Sequence, residues 1–180
     1  MGVKLAAASG GSIELVPTNT ASNFTVTVPA GTAVMAIDGP AFSAYADATT
    51  QTLVTSTYTK ILFQTEEFDT NSNFASSRFT PTVAGYYQVN AHSLFAFGVS
   101  GTGTCLVSIY KNGVLLKEGS RIYISANSSG AAVVSALIYL NGSTDYAEIY
   151  AQQASGTNQN LAGGNNQQLN YFQASMARGA

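Results

Sequence analysis

The residues best suited to nucleophilic chemistry are few, since His92 is the single histidine of the sequence and Cys105 its single cysteine. A serine or cysteine nucleophile needs a neighbouring base, and no triad motif accompanies His92. The histidine stands on the polar side of an alternating segment, which is typical of a surface or subunit-facing residue. A free cysteine is commonly a small core residue. We therefore expect no catalytic residue, no cofactor site and no enzymatic activity.

Oxygen donors alternate along residues 69–73, which read Asp-Thr-Asn-Ser-Asn as at the start of an EF-hand loop. The sixth position is Phe74, where that loop requires a glycine. An Asx-rich turn explains the run more simply, so we expect no metal site. Calcium held by Asp69, Asn71 and Asn73 is the weaker alternative.

Neutral polar side chains accumulate in residues 152–168, which contain three glycines and four asparagines. Glycine and asparagine favour turns, so this segment is predicted to be a long polar loop. Its composition also suits the recognition of a glycan. The candidate ligand residues are Asn158, Asn160, Asn165 and Asn166, and the aromatic rings that join them as candidates are Tyr45, Tyr58 and Tyr171.

The elements that must position these residues are strands, because apolar and polar residues alternate with period two and no segment has a convincing helical period. The predicted strands are residues 23–28, 87–97, 106–110, 133–140, 146–151 and 169–174. In the long segment 87–97 the odd positions are predicted to face the core. The even positions, which include Gln88, Asn90 and His92, form its polar face.

Asn-Gly dipeptides follow two of these strands, at Asn112-Gly113 and Asn141-Gly142. A type I′ turn needs positive φ at both central residues, and Asn-Gly meets this need best. Both dipeptides are therefore predicted to connect antiparallel strands. Repeated short strands joined by such turns predict an all-β fold, namely an antiparallel sandwich or jelly roll.

Charged residues are scarce: seven Lys or Arg and nine Asp or Glu make up 9% of the 180 residues. About 25% is usual for a globular domain, and such a deficit favours surface that is hidden in an assembly. Nucleic acid binding depends on Lys and Arg at phosphates, and a bilayer-spanning helix needs about 18 or more apolar residues in a row. We expect neither nucleic acid binding nor membrane insertion.

A boundary is predicted at Asp38-Gly39-Pro40, where turn residues separate an N-terminal arm, residues 1–40, from a main domain, residues 41–180. An arm of this size is too small to bury a core of its own. We expect it to be extended and to pack on the main domain, on neighbouring subunits or on another protein.

Several segments of the main domain together resemble the C1q-like globular head, which is related to tumour necrosis factor. These segments are Ala41-Phe42-Ser43-Ala44, Lys60-Ile61-Leu62-Phe63, Arg78-Phe79-Thr80-Pro81, Gly85-Tyr86-Tyr87-Gln88-Val89, Tyr110-Lys111-Asn112-Gly113, residues 137–150 and Tyr171-Phe172-Gln173-Ala174. The resemblance implies an antiparallel jelly-roll β-sandwich that assembles as a homotrimer. In such trimers one sheet faces the neighbouring subunits, which places Gln88, Asn90 and His92 near the threefold axis. Neutral side chains suit that position because like charges there would repel one another.

The arm resembles bacteriophage structural proteins, and the segments that carry this resemblance are residues 10–15 and 20–35. It implies a non-enzymatic protein of the virion surface that contacts other capsid or tail proteins through the arm. A capsid decoration or cement protein, or a short fibre, is the favoured role. The alternative is a tail-fibre adhesin that recognises a glycan or protein of the host surface. A secreted bacterial binding module is a third hypothesis, disfavoured because the first residues lack a signal-peptide core.

Overall fold

The computed structural model describes residues 3–6, 12–15, 39–47, 50–163 and 169–180. Every regular element in these ranges is a β-strand, and none of them contains a helix with the length and hydropathy needed to cross a membrane. The chain divides into two compact units, Met1–Ala33 and Val34–Ala180. The predicted boundary after residue 40 stays a prediction.

The smaller unit contains two short antiparallel strands, β1 (Val3–Ala6) and β2 (Ser12–Leu15), with Val3 opposite Leu15. The predicted strand at residues 23–28 lies outside the described residues. Most of the arm that resembles phage proteins also lies outside them.

Two sheets form the larger unit, and all its strand pairs are antiparallel. The six-stranded sheet contains β5 (Thr59–Lys60), β7 (Phe74–Ala75), β8 (Arg78–Phe79), β10 (Gly103–Lys111), β11 (Val114–Ile124) and β13 (Ala147–Ala154). The seven-stranded sheet contains β3 (Ala41–Tyr45), β4 (Gln51–Leu53), β6 (Thr65–Asp69), β9 (Gly85–Ala96), β12 (Ser129–Leu140), β14 (Gln159–Leu161) and β15 (Asn170–Gly179). The core lies between the sheets, so the predicted all-β sandwich is confirmed.

The long strand β9 has the alternation that the sequence predicted. Its odd positions are buried and its even positions from 88 to 96 are half-buried. One edge of β9 pairs with β12 along its whole length, while the other pairs with β15 and then with β14. Strands paired on both edges fix the orientation of its side chains, so β9 is the central strand of its sheet.

Phe42 lies at the centre of the core and connects the two sheets. Its ring centroid is 4.6 Å from that of Phe74 and 4.7 Å from that of Phe79, which both belong to the six-stranded sheet. Phe172, on the strand next to it, packs edge-on at 4.8 Å. Cys105 is buried in the same core, where burial raises the pKa of its thiol to about 12. The thiol is therefore protonated at neutral pH, which fits the predicted core role.

The first predicted hairpin is confirmed. β10 and β11 are joined by Asn112 and Gly113, whose φ angles are 53° and 76°. Both central residues thus have the positive φ of a type I′ turn. The turn is fixed further because Asn112 Nδ2 donates to Asp145 Oδ1 at 2.7 Å.

The second predicted hairpin is wrong, because β12 and β13 belong to different sheets. Asn141 Oδ1 accepts hydrogen bonds from the backbone N–H groups of residues 143–145 at 2.9 to 3.0 Å. This is an Asx turn, and of the two residues only Gly142 has positive φ, at 71°. The side chain of Asn141 therefore turns the chain from one sheet to the other.

The predicted polar loop at residues 152–168 is also partly wrong. β13 extends into it as far as Ala154, and β14 occupies Gln159–Leu161. Gln159 and Leu161 are buried, and the Gln159 amide accepts a hydrogen bond from Gly98 N at 2.9 Å. A three-residue strand of mainly polar residues is stabilised by its two neighbouring strands, β4 and β9.

One edge of each sheet meets the other at β11 and β12. Ser120 Oγ accepts a hydrogen bond from Val133 N at 2.9 Å and donates to Val133 O at 3.3 Å. A Cβ added at Gly119 would lie 2.1 Å from Val133 O. The close approach of the two sheets at this edge therefore requires glycine at position 119.

Candidate functional site

The side of the seven-stranded sheet that points away from the core gathers the three residues predicted to lie at a subunit interface. Gln88 is flanked by Leu137 and Ser175, Asn90 by Ser135 and Gln173, and His92 by Val133 and Tyr171. We call the part of this surface that belongs to the two longest strands the β9–β12 face. It comprises Tyr86, Gln88, Asn90, His92, Val133, Ser135, Leu137 and Tyr139.

The amides of the β9–β12 face are fixed by one another. Gln88 Nε2 donates to Asn90 Oδ1 at 3.2 Å and to Ser135 Oγ at 3.0 Å. Ser135 Oγ in turn donates to Asn90 Oδ1 at 2.8 Å. The three side chains form a closed triangle of hydrogen bonds, so they present a fixed neutral polar surface.

His92 is held by a stacked ring and one hydrogen bond. Its ring is parallel to that of Tyr171 within 8°, with 5.4 Å between centroids. Nδ1 lies 2.9 Å from the carbonyl oxygen of Leu169. A carbonyl only accepts hydrogen bonds, so Nδ1 carries the proton in the neutral ring and Nε2 carries the lone pair.

Half-exposed apolar side chains surround this polar triangle. Val133 is 48% exposed, Leu137 53%, and Tyr86 and Tyr139 42% each. Neither β9 nor β12 contains a formally charged residue. Exposed apolar patches on a protein surface, when they are large and bordered by polar residues, mark interaction sites.

A charged group borders the face at one end. Lys111 Nζ donates to the carbonyl oxygen of Tyr139 at 2.9 Å and lies 5.5 Å from the centroid of its ring. The same ammonium pairs with Asp145 Oδ2 at 2.7 Å. Hydrogen bonds from Lys111 and Asn112 hold the pKa of Asp145 below its usual value. The carboxylate therefore stays ionised at neutral pH and neutralises Lys111.

The calcium candidates lie at the end of β6 and in the loop that connects it to β7, and the oxygens of Asp69 and Asn73 accept hydrogen bonds from nearby backbone N–H groups. Asp69 accepts hydrogen bonds from the backbone N–H groups of Asn71 and Phe74 at 3.3 and 2.7 Å. Asn73 Oδ1 accepts one from Thr82 N at 3.1 Å. Among the described residues no three His, Cys, Asp or Glu side chains are grouped as a metal would require. A calcium site here stays a prediction.

The candidate ligand residues are only partly placed. Asn158 is exposed, and Asn160 lies on β14, where its Oδ1 accepts a hydrogen bond from Thr52 Oγ1 at 3.1 Å. Asn165 and Asn166 lie outside the described residues. A glycan site at these asparagines stays a prediction.

The β12 half of the β9–β12 face was not predicted from the sequence. Its signal was nonetheless present, since nearly every residue from Val133 to Leu140 is apolar on both sides of the strand. A strand that is apolar on both sides is expected to be covered on both sides. Among the described residues only the even side of β12 is covered, where Val134, Ile138 and Leu140 are buried.

No family model matches the sequence, and no curated protein matches it. Solved structures do match the fold. The globular domain of zebrafish complement 1qA protein is 19% identical with a TM-score of 0.53, and the alignment covers 79% of this chain and 100% of that chain. Murine APRIL at pH 5.0 is 10% identical with a TM-score of 0.55, covering 77% of this chain and 99% of that one.

The Eiger TNF from S. frugiperda is 6% identical with a TM-score of 0.54, and the alignment covers 79% of this chain and 94% of that chain. At such identities the likeness is one of fold alone. It confirms the predicted C1q/TNF-like jelly roll.

Proposed function

We propose that this protein is a non-enzymatic structural protein of a bacteriophage virion, located on the particle surface as a homotrimer. Its favoured role is a capsid decoration or cement protein, or a short fibre. The jelly-roll fold and the β9–β12 face support the trimer. The resemblance of residues 10–15 and 20–35 to phage structural proteins supports the place in a virion.

The observation that carries the trimer is the lack of charge on a face that is apolar and half-exposed. Around a threefold axis each side chain meets two copies of itself, so like charges would repel and unpaired charges would be desolvated. The fixed triangle of Gln88, Asn90 and Ser135 offers neutral donors and acceptors instead. Val133 and Leu137 offer apolar area that association would remove from water.

The smaller unit supports attachment to another protein. Its described strands, β1 and β2, form a two-stranded antiparallel sheet. A two-stranded sheet is marginally stable in water unless another surface packs on it. In this proposal the arm obtains that surface from neighbouring capsid or tail proteins.

Labelling of the protein on intact virions tests the location. Recovery with emptied, tailless capsids supports the decoration role, whereas recovery with isolated tails supports a fibre. Absence from purified particles, under conditions that retain other minor structural proteins, would overturn the proposed place in a virion.

A tail-fibre adhesin is the second candidate function. The observation that favours it is a positively charged cavity at the edge of the six-stranded sheet, lined by Lys60 and Arg78. Binding of purified protein to host cells, blocked by excess unlabelled protein, supports this role. Attachment of phage that is unaffected by the same excess contradicts it.

A further inference from the structure

The cavity has a volume of about 460 Å³ and lies beside β5, β7 and β8. Two cations, Lys60 and Arg78, line it together with four residues that carry hydroxyl groups, Ser72, Ser76, Thr80 and Thr82. Pockets of about 300 to 1,000 Å³ are typical for small ligands. The cavity is therefore large enough for a monosaccharide and part of a second ring.

The charges of the cavity do not cancel. Lys60 Nζ and Arg78 Nε both donate to the same oxygen of Glu148, at 2.6 and 2.9 Å. The Glu148 side chain is only 3% exposed and lies beneath its two partners. Asp69, the acid nearest to the cavity loop in sequence, accepts hydrogen bonds from backbone N–H groups of that loop with both its oxygens. Lys60 and Arg78 are the charged residues that line the cavity, and they share a single buried carboxylate, so the lining itself has a surplus of positive charge.

The guanidinium of Arg78 is held in a fixed orientation that suits a planar anion. Its guanidinium carbon lies 3.8 Å from the centroid of the Tyr146 ring, and Nε is held by Glu148. Among the described residues nothing hydrogen bonds to its two terminal amino groups, and the side chain is 43% exposed. A guanidinium that is fixed by stacking and has both terminal amino groups unused matches a carboxylate in bidentate geometry.

The other polar groups of the cavity lining are serine and threonine hydroxyl groups. Within the described part of the chain, the side chains of Ser72, Ser76 and Thr80 make no hydrogen bond. Ser72 and Ser76 have φ angles of 53° and 52°, a region that serine seldom adopts. Such strained conformations concentrate at binding and catalytic sites. Hydroxyl groups both donate and accept, so they complement the hydroxyl groups of a sugar.

We propose that this cavity binds a carboxylate-bearing sugar, that is, a uronic or sialic acid residue of an acidic glycan. Arg78 takes the carboxylate in two hydrogen bonds, Lys60 adds its charge, and Ser72, Ser76 and Thr80 bind ring hydroxyl groups. The proposal gives a ligand class to the adhesin role. It requires neither the virion location nor the trimer, because the cavity and the β9–β12 face belong to different sheets.

Titration calorimetry of the full chain with two sugars that differ only in the carboxylate tests this. The probes are methyl glucuronoside and methyl glucoside, with N-acetylneuraminic acid as a second acid and inorganic sulfate as a plain anion. We expect the acids to bind and the neutral glucoside not to bind. Equal binding of the glucuronoside and the glucoside, no binding of either acid at millimolar concentration, or sulfate binding as tight as that of the acids would overturn the proposal.

Variants locate the site. Arg78→Ala should weaken binding of the acids about tenfold or more, and Arg78→Lys should weaken it less, because the charge remains while the planar pair of donors is lost. Arg121→Ala is the matched control, since Arg121 is 49% exposed and pairs with Glu118 at 3.8 Å in the same sheet. Equal affinities of the Arg78→Ala and Arg121→Ala variants would contradict the assignment.

Thr80→Val keeps the proposal testable if Arg78→Ala does not fold. It preserves the shape of the side chain and removes a hydroxyl group that has no partner among the described residues. We expect the variant to melt as the native chain does and to bind the acids about threefold to tenfold more weakly. Unchanged affinity would remove the hydroxyl groups from the proposal and with them the preference for a sugar.

Discussion

Glu148 shows how a single buried charge is tolerated in this chain. Burial by itself raises the pKa of its carboxyl group, but the hydrogen bonds and charges of Lys60 and Arg78 outweigh burial. The pKa of Glu148 is therefore lowered overall, and the group is ionised at neutral pH. The three residues come from β5, β8 and β13, so one carboxylate connects three strands of the six-stranded sheet.

Glu148→Gln should destabilise the fold by about 2 kcal/mol at neutral pH, because the amide keeps the shape but leaves two cations without their counterion. The folded-state pKa of Glu148 lies below its unfolded value. Its stabilisation is thus complete above the unfolded pKa and is lost as the pH falls through the folded pKa. We expect the difference between native chain and variant to narrow below about pH 4.5.

Urea unfolding at a series of pH values measures this difference. Glu66→Gln is the control, since Glu66 is exposed and surface changes usually cost less than about 0.5 kcal/mol. If the unfolding free energies of the native chain and of the Glu148→Gln variant stay parallel from pH 7 to about pH 3, the charge of Glu148 does not contribute to stability.

At the scale of strands, the sandwich depends on its contact between β11 and β12. The two strands are joined here by a side chain rather than by backbone hydrogen bonds. Ser120 Oγ accepts a hydrogen bond from the backbone N–H of Val133 and donates one to its carbonyl oxygen. Gly119 allows the approach, because a Cβ there would also lie 2.7 Å from the Cβ of Val134. The joined edges then resist pairing with strands of other chains.

Gly119→Ala should destabilise the fold by about 1 to 3 kcal/mol, the usual range for overpacking a tight contact. The Cβ meets backbone and a β-branched side chain, neither of which moves easily. Gly98→Ala is a matched control, because the atom nearest to its added Cβ is 4.0 Å away. Thermal unfolding of both variants measures the effect, and equal melting temperatures would contradict the role of Gly119.

At the scale of the whole molecule, the few charged residues are unevenly distributed between the two sheets. The β9–β12 face contains no formally charged residue. Several of the charged groups that exist are instead gathered on the other sheet, around Glu148 and around Glu118 with Arg121. The described residues therefore include a neutral face, which we propose for the trimer, and a charged surface, which we propose for an acidic glycan.

Val133→Asp should convert the proposed trimer into a monomer, since burying an unpaired carboxylate in three copies costs more than the apolar contact provides. Val99→Asp is the same change at a loop residue that is 80% exposed, and it should leave the trimer intact. Light scattering at micromolar concentration measures the mass. A native chain with the mass of a single subunit would contradict the trimer, and equal masses of both variants would contradict the choice of face.

The sequence by itself determined the β class, the core side of β9 and the turn at Asn112-Gly113. Each follows from local rules, because alternation selects the side of a strand and positive φ selects the residues of a turn. Tertiary structure decided which strands pair. β12 pairs with β9 rather than with β13, and Gln159–Leu161 becomes a strand because β4 and β9 supply its partners.

The sites depended on tertiary structure in the same way. Gln88, Asn90 and His92 shared a predicted side, but Ser135 joins them only because β12 lies next to β9. Lys60 and Arg78 meet Glu148 across separations of 88 and 70 residues. Period-two patterning records which way a side chain points and nothing about its neighbour on the next strand. The sequence shows that charged residues are scarce. Only the tertiary structure shows which surface lacks them, because that depends on which strands are neighbours.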